Sequence, residues 1–306
     1  MSEYNYTFTV FTPTYERALS IHRVYESLCQ QSFTDFEWII VDDGSTDNTK
    51  LIVNNWIKEA KFPIRLFYQK HSGKHIAWNR AVRQARGKFF VIADSDDRFN
   101  ANTLEKFVEM WNSIPFEKRG LYRGVACRCK DETGKVLGKR DIKDPWLDAS
   151  ECDAKYKYKY QYEMWGMTLT RIMREYPNPE KCGLRFYPES IIWDKIGEKY
   201  LTRYFNEALR IQYHDQTNAT TVKRVNNRFR ENYFLWLHVL NDLNRYLVYN
   251  PLLFLKSAVG IMRDGLLSNR SYKDIISGIN EPILRMCVIL LSPIGQFLYI
   301  YEENND

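Results

Sequence analysis

The chain is poor in features that would place it in several common functional classes. Its six cysteines (Cys29, Cys127, Cys129, Cys152, Cys182 and Cys287) include no CxxC pair and no regular spacing, so a zinc site is not expected. The opening MSEYNYTFTV has no secretory leader pattern, which predicts free, buried thiols in a reducing cytoplasm. No GxGxxG follows the first predicted strand and no GxxxxGK[ST] occurs, which counts against dinucleotide-binding and P-loop chemistry. What remains is an ordinary soluble composition, 44% hydrophobic and 27% charged over 306 residues, enough for a large core. Aromatics reach 15%, with 21 tyrosines that suit core packing and sugar stacking alike. The formal charge of +6 is unevenly placed. Between Lys223 and Lys273 nine basic residues face three acids, an excess equal to that of the whole chain.

The most informative stretch is Phe89 to Asp97, FFVIADSDD. Five apolar residues in a row read as a strand buried on both faces, and Asp94, Asp96 and Asp97 crowd its carboxyl end. Ligands of open α/β sheets bind beyond that end. Three carboxylates this close repel one another unless a cation or protons intervene. Oxygen donors suit Mg²⁺ or Mn²⁺. A solvated acidic turn is the plainer alternative.

Around this stretch strands and helices alternate. Thr7 to Thr12 reads as a strand stopped by Pro13, and Ile21, Val24, Tyr25 and Leu28 follow at helical spacing. Phe36 to Val41 forms a second strand ending in Asp42 and Asp43. After GSTDNT, in which Asp47 is expected to cap, Val53, Trp56, Ile57 and Ala60 make another helical stripe. Ile64 to Tyr68 is a third strand. A helix from Lys74 carries Trp78, Ala81, Val82 and Ala85 inward and is expected to close at Gly87. Such alternation predicts parallel strands, right-handed crossovers and a three-layer α/β/α sandwich. After Asp97 a helix capped by Asn102 turns Leu104, Phe107, Val108 and Trp111 inward. Segments 120–129 and 155–170 are expected strands, the second on the strength of the alternating KYKYKYQY. From Asn226 onward the chain is mostly helical. A boundary near 220–226 gives a domain of residues 1–222, with a nucleotide-binding half (1–112) and an acceptor half (113–222), and a helical extension of residues 223–306.

Parallel pairing brings the loops Pro13-Thr14-Tyr15, Asp42-Asp43-Gly44-Ser45 and Asp94-Ser95-Asp96-Asp97 to one rim. His71-Ser72-Gly73-Lys74 joins them at a helix N-terminus, with its free N–H groups and partial positive charge. Tyr15 could stack on a base, a carboxylate could accept from the base or ribose, and a metal could bridge a diphosphate. Singly, each of these residues has a structural explanation. Their convergence is what points to a nucleotide.

TVFTPTYER, IIVDDGSTDNT and GKHIAWNRAVRQARGKFFVIADSDD, in that order over roughly the first 110 residues, resemble the glycosyltransferase family 2 domain, a GT-A fold. The resemblance implies an inverting, metal-dependent transfer from a nucleoside-diphosphate sugar, most often UDP-linked, to a glycan or lipid-linked acceptor. Carried onto this sequence, it puts Pro13, Tyr15, Asp43, Lys74, Asp94 and Ser95 at the nucleotide sugar, with Asp43 reading the base. Asp94 and Asp96 form the DxD element, and Asp96 or Asp97 would hold Mg²⁺ or Mn²⁺. Inversion needs a general base on the acceptor hydroxyl. In the family this is usually the Asp of a Glu-Asp pair at a helix start. The corresponding stretch, FYPESIIWDKI, offers Asp194, with Trp193 replacing the Glu and Glu189 as the other candidate. His214 in YHD is a further metal or acceptor-site candidate.

Pro282 to Tyr301 is twenty residues with one charge, long enough to span a bilayer but expected to be broken by Pro293, Gly295 and Gln296. Basic and apolar residues between 226 and 301 suit peripheral contact with the inner face of the cytoplasmic membrane, or packing on a second copy in a homodimer. Nucleic acid is not expected, since no binding motif accompanies the charge. A sugar-phosphate nucleotidyltransferase is the enzymatic rival, but FTPTYER lacks the glycine-rich basic loop of that class. A phospho-acceptor signalling domain is disfavoured by the strand–helix unit preceding IIVDD and by chain length. An inactive nucleotide-sugar-binding relative is the third.

Overall fold

The computed structural model describes residues 4–138, 141–160, 163–180, 184, 186–213 and 228–303. In chain order the elements are β1 (Tyr6–Thr14), α1 (His22–Cys29), β2 (Phe36–Asp42), α2 (Thr49–Glu59), β3 (Ile64–Tyr68), α3 (Lys74–Gln84) and β4 (Gly87–Ile92). Then come β5 (Arg98–Phe99), α4 (Thr103–Asn112), β6 (Tyr122–Asp131), β7 (Leu147–Ala149), β8 (Met164–Leu169), α5 (Thr170–Glu175), α6 (Glu189–Gly197) and β9 (Leu201–Gln212). Helices α7 (Phe229–Asp242), α8 (Pro251–Leu267), α9 (Tyr272–Ser277) and α10 (Pro282–Glu303) complete the chain. Two compact units result, Met1–Tyr187 with Ile192–Asp215, and Pro188–Ile191 with Gln216–Asp306. The expected boundary at 222/223 falls outside the described residues, as does His214.

The first unit is built on one mixed sheet with the order β3-β2-β1-β4-β8-β6-β9-β5, and β7 on β9. β1 to β4 pair in parallel, as their alternation with helices requires, and β8 joins antiparallel to β4. Every residue of β2 is buried, which demands cover on both faces; its one charge before the strand end, Glu37, is met by Arg65 (3.0 Å) and the Thr9 hydroxyl (2.8 Å). Phe8, Val10, Phe11, Ile39 and Val91 lie at the centre of this core.

Several expectations need correction. β1 does not stop at Pro13; it runs to Thr14, with Pro13 opposite Val41. On the other flank the ladder ends at Phe11 opposite Ile92, so the missing proline N–H leaves no rung empty there. In α2 only Val53 of the expected stripe is fully buried, Ile57 is 42% exposed, and Trp56 stacks on Tyr25 at 4.4 Å. Asn102 makes no side-chain cap at α4; the Gln31 side-chain oxygen Oε1 accepts from Leu104 N instead (3.1 Å). Among the described residues of the expected strand 155–170 only β8, Met164–Leu169, is present, and the Lys/Tyr residues 155–160 are not a strand. Asp153–Lys157 forms one π-helical turn, with Tyr158 N donating to Asp153 O (2.8 Å), so the backbone satisfies itself without a ladder partner.

In the second unit glycines let helices approach closely: Gly260 of α8 meets the Trp236 indole, and Gly295 of α10 meets Met262 and the Val259 carbonyl. The indole N–H of Trp236 donates to the buried Asp264 carboxylate (2.7 Å). α10 continues through Pro293 rather than breaking. A proline there removes the bond to the carbonyl four residues back, that of Ile289, and the Ser292 hydroxyl donates to this carbonyl instead (2.8 Å).

Gly87 does not close α3; that helix ends at Gln84, Ala85 is already extended, and Gly87 opens β4. A Cβ on Gly87 would lie 2.2 Å from the Phe8 carbonyl carbon and the Thr9 nitrogen, both backbone atoms. Gly87→Ala is expected to destabilise the fold by about 1–3 kcal/mol through this overpacking. The measurement is the urea midpoint at unchanged m-value.

Candidate active site

The carboxyl ends of β1, β2 and β4 lie side by side, and the loops leaving them are tied together by side chains. Gly44 (φ +89°) makes the turn after β2, where a Cβ would come within 3.1 Å of His71 N. That turn presents Asp43 to the loop before α3. Asp43 Oδ1 accepts from Gln69 Nε2 (2.8 Å) and Ser72 N (2.8 Å), and Oδ2 from Gly73 N (2.9 Å), while His71 Nδ1 hydrogen-bonds the Asp43 carbonyl oxygen (3.1 Å) and lies 3.0 Å from Oδ2. Three of the four lone-pair positions of this carboxylate are taken, so Asp43 shapes the start of α3 and keeps one position on Oδ2. Tyr15 stacks on the His71 ring at 4.1 Å and remains 39% exposed. Pro13 lies two residues before it at the end of β1.

The loop after β1 is clamped to the loop after β2. Glu16 has φ +54°, a left-handed conformation that a non-glycine residue adopts at some cost. Its carboxylate accepts from Thr46 N (2.7 Å) and Thr46 Oγ1 (2.9 Å), and its N–H donates to Ser45 Oγ (2.9 Å). Ala18 N donates to Asp47 Oδ2 (2.9 Å) and Thr49 N to Asp47 Oδ1 (3.0 Å), the capping role expected of Asp47.

Around the acidic loop the protein supplies its own cations. Lys74 Nζ lies 2.6 Å from Asp94 Oδ1. Arg210, near the end of β9, donates from Nη2 to Asp94 Oδ2 (3.0 Å) and from Nε to Asp97 Oδ2 (2.6 Å). Arg17 Nη2 lies 3.3 Å from Asp96 Oδ2, and Arg23 Nη1 donates to the Asp96 carbonyl (3.0 Å). Burial works to raise the Asp94 carboxyl, but Lys74 and Arg210 outweigh it and hold it at about 2. For Asp97 burial wins: with the charges of Asp94 and Asp96 adding to it and Arg210 opposing, the carboxyl is pushed up to about 7.

These environments separate the three acids. Asp97 is buried against Arg210 and Ser95 is buried beside it, whereas the Asp96 side chain is 34% exposed and Asp94 28%. Among the described residues no three His, Cys, Asp or Glu side chains gather as a metal cluster. Mg²⁺ commonly takes one or two carboxylates and completes its shell with phosphates and water, and the partly exposed Asp96 carboxylate, with Asp94 beside it, fits that pattern.

Asp194 sits in α6, 2% exposed, and accepts from the Cys152 thiol (3.2 Å). Trp193 is packed between the Trp78 ring (5.2 Å) and the Arg123 guanidinium (4.7 Å), so this position serves packing. Glu189 occupies the first turn of α6 and is half-buried. The sequence reading did not single out Arg17, Arg23 or Arg210. A signal existed for Arg210: a charge inside the apolar strand run ALRIQ requires a buried counter-ion.

A family model described as Glycosyl transferase family 2 matches residues 9–117. TuaG of Bacillus subtilis (strain 168), a putative teichuronic acid biosynthesis glycosyltransferase, is 35% identical over 101 residues, 33% of this chain and 40% of its own length. TarS of Staphylococcus aureus (strain Mu50 / ATCC 700699), a poly(ribitol-phosphate) beta-N-acetylglucosaminyltransferase, is 36% identical over 100 residues, 32% of this chain and 18% of its own. These alignments therefore span less than half of either relative. The crystal structure of S. aureus TarS 1–349 in complex with UDP-GlcNAc superposes with a TM-score of 0.64 at 17% identity, over 98% of this chain and 92% of that one. The mannosyltransferase PcManGT from Pyrobaculum calidifontis, solved with GDP-Man and Mn²⁺, gives 0.55 at 18% identity over 98% and 83%. The GT-A fold expected from the sequence is thus shared.

His75, in the first turn of α3, is 3% exposed, and neither ring nitrogen has a partner among the described residues. Burial lowers its pKa from 6.5, against the pull of Asp43 and Glu180. Above the free-imidazole value both folded and unfolded chains are neutral there. Below it the unfolded chain binds a proton that the folded chain resists, so stability falls with pH. Moving from about pH 7.5 to about pH 5.5, the urea midpoint of the wild type is expected to drop further than that of His75→Leu.

Proposed function

Residues 9–117 form a glycosyl transferase family 2 domain, and from that premise we propose that the protein transfers a sugar, with inversion, from a UDP-linked donor to a hydroxyl of a glycan or lipid-linked acceptor in surface polysaccharide synthesis. The observation that carries this reading is the ring of side chains joining three strand ends: Tyr15 on His71, Asp43 on Ser72 and Gly73, and Lys74 on Asp94. The names of TuaG and TarS, and the UDP-GlcNAc held by TarS, support the substrate class.

In this reading Tyr15, with Pro13 beside it, stacks on the nucleobase. Asp43 reaches a base N–H through the remaining position on Oδ2, or by yielding the bond from Gln69. Lys74 and the Ser95 segment face the diphosphate. Asp96, with Asp94 beside it, would hold Mg²⁺ or Mn²⁺, which stabilises negative charge on the departing diphosphate. Asp194 takes the proton of the acceptor hydroxyl as it attacks the anomeric carbon, with Glu189 as the alternative base.

The first test is release of UDP from UDP-sugars. Asp96→Ala is expected to abolish it and Asp194→Asn to lower it by about 10²-fold or more while donor binding persists. A Glu189→Gln variant that loses turnover while Asp194→Asn keeps it would reverse the choice of base. Undiminished release without Asp96 would sink the metal assignment.

A second reading concerns the helical unit. Ile283, Met286, Leu290, Ile294, Phe297 and Tyr301 form one exposed apolar stripe along the 22-residue α10, each 51–72% exposed. Lys256 is exposed on α8 beside Leu252 and Leu255, and Arg285 turns its guanidinium to the Ile279 carbonyl (2.7 Å). Such a face suits shallow insertion into an anionic membrane. Flotation with phosphatidylglycerol vesicles is expected for the wild type and lost in Leu290→Glu/Phe297→Glu. Equal partition of both, or a concentration-dependent doubling of mass, would instead favour the homodimer.

A further inference from the structure

The geometry points to Arg17 as a placeholder on Asp96 that moves to the donor's diphosphate when a divalent cation arrives, an inference that rests on the nucleotide-sugar reading above. Three observations lead there. Arg17 meets the most open carboxylate of the loop, at 3.3 Å, a longer contact than those of Lys74 (2.6 Å) and Arg210 (3.0 Å) with Asp94. The backbone beneath it is fixed. Glu16 is held at φ +54° by Ser45 and Thr46, and Arg17 N donates to Thr49 Oγ1 (3.2 Å), so the guanidinium springs from a preset point on the rim. The guanidinium fork also matches phosphate oxygens as well as carboxylate.

Charge gives the direction of the exchange. Each carboxylate of the loop already carries a protein cation: Lys74 and Arg210 on Asp94, Arg17 on Asp96 and Arg210 on Asp97. A divalent cation must therefore displace Arg17 to reach Asp96. A diphosphate alone finds the Arg17 guanidinium engaged. Together the two ligands answer each other: the cation takes Asp96 and the freed Arg17 pairs with the phosphate charge. Arg23, anchored on the Asp96 carbonyl and over the Tyr213 ring (4.0 Å), holds the loop while this happens.

The consequence has opposite signs for the two ligands. Arg17→Gln removes the competitor on Asp96 and the ligand for phosphate in one step. Calorimetry on the full chain, using MnCl₂ alone, UDP with MnCl₂, and uridine, reads both. Arg17→Gln is expected to bind Mn²⁺ more tightly than wild type in the absence of nucleotide. It should bind UDP roughly tenfold or more weakly in its presence, the scale of a charge-assisted contact, with uridine unchanged. Arg17→Lys, which keeps the charge, should restore most of the UDP affinity and serves as the control for folding. Unchanged or weaker Mn²⁺ binding by Arg17→Gln, or an equal loss for UDP and uridine, overturns the placeholder role. A wild-type chain that binds neither UDP nor Mn²⁺ instead overturns the nucleotide-sugar reading itself.

Discussion

Arg210 reaches from β9 under the loop after β4, its guanidinium against the carboxylates of Asp94 and Asp97. Both Arg210 and Asp97 are nearly closed to solvent, at 8% and 5% exposure. Taking either partner from such a pair leaves a buried charge unanswered, which costs about 3–5 kcal/mol. The rest of the rim follows from this anchoring. With Asp97 tied down, Asp96 is turned outward and Asp94 is shared between Arg210 and Lys74. Repulsion among three adjacent acids is thereby converted into an ordered loop.

The strand ends were readable because their causes are local. A short, nearly continuous apolar run, as in WIIV and FFVIA, reads as a strand covered on both faces, and alternation with helices fixes parallel pairing. For the same reason Tyr15, Asp43, Lys74 and Asp94 could be placed on one edge from their positions at strand ends. Arg17 and Arg210 could not, since their partners lie 79 and 116 positions away for Asp96 and Asp94 respectively. Nothing in local periodicity reports a contact of that separation.

The misreadings share a physical character. Each arose where a contact outside the local pattern, from a side chain or from backbone, decided the outcome. Gln31 caps α4 in place of Asn102, and Ser292 takes over the carbonyl that Pro293 abandons. A self-satisfied π turn stands where the Lys/Tyr alternation suggested a ladder. Gly87 was assigned the commonest duty of glycine after a helix, whereas its real constraint is the Phe8–Thr9 backbone of the neighbouring strand.

Arg210 belongs to the segment that follows Trp111, where family likeness fades, yet it supports the loop where that likeness is strongest. β9 also pairs with β5, Phe99 opposite Arg210, so the acidic loop is bracketed by one distant strand on both its side-chain and backbone sides. The later half of the unit is therefore not free to drift independently while new acceptors are explored. Any remodelling there that shifts β9 must return a cation to this one position, and residues 94, 97 and 210 should be inherited as a set.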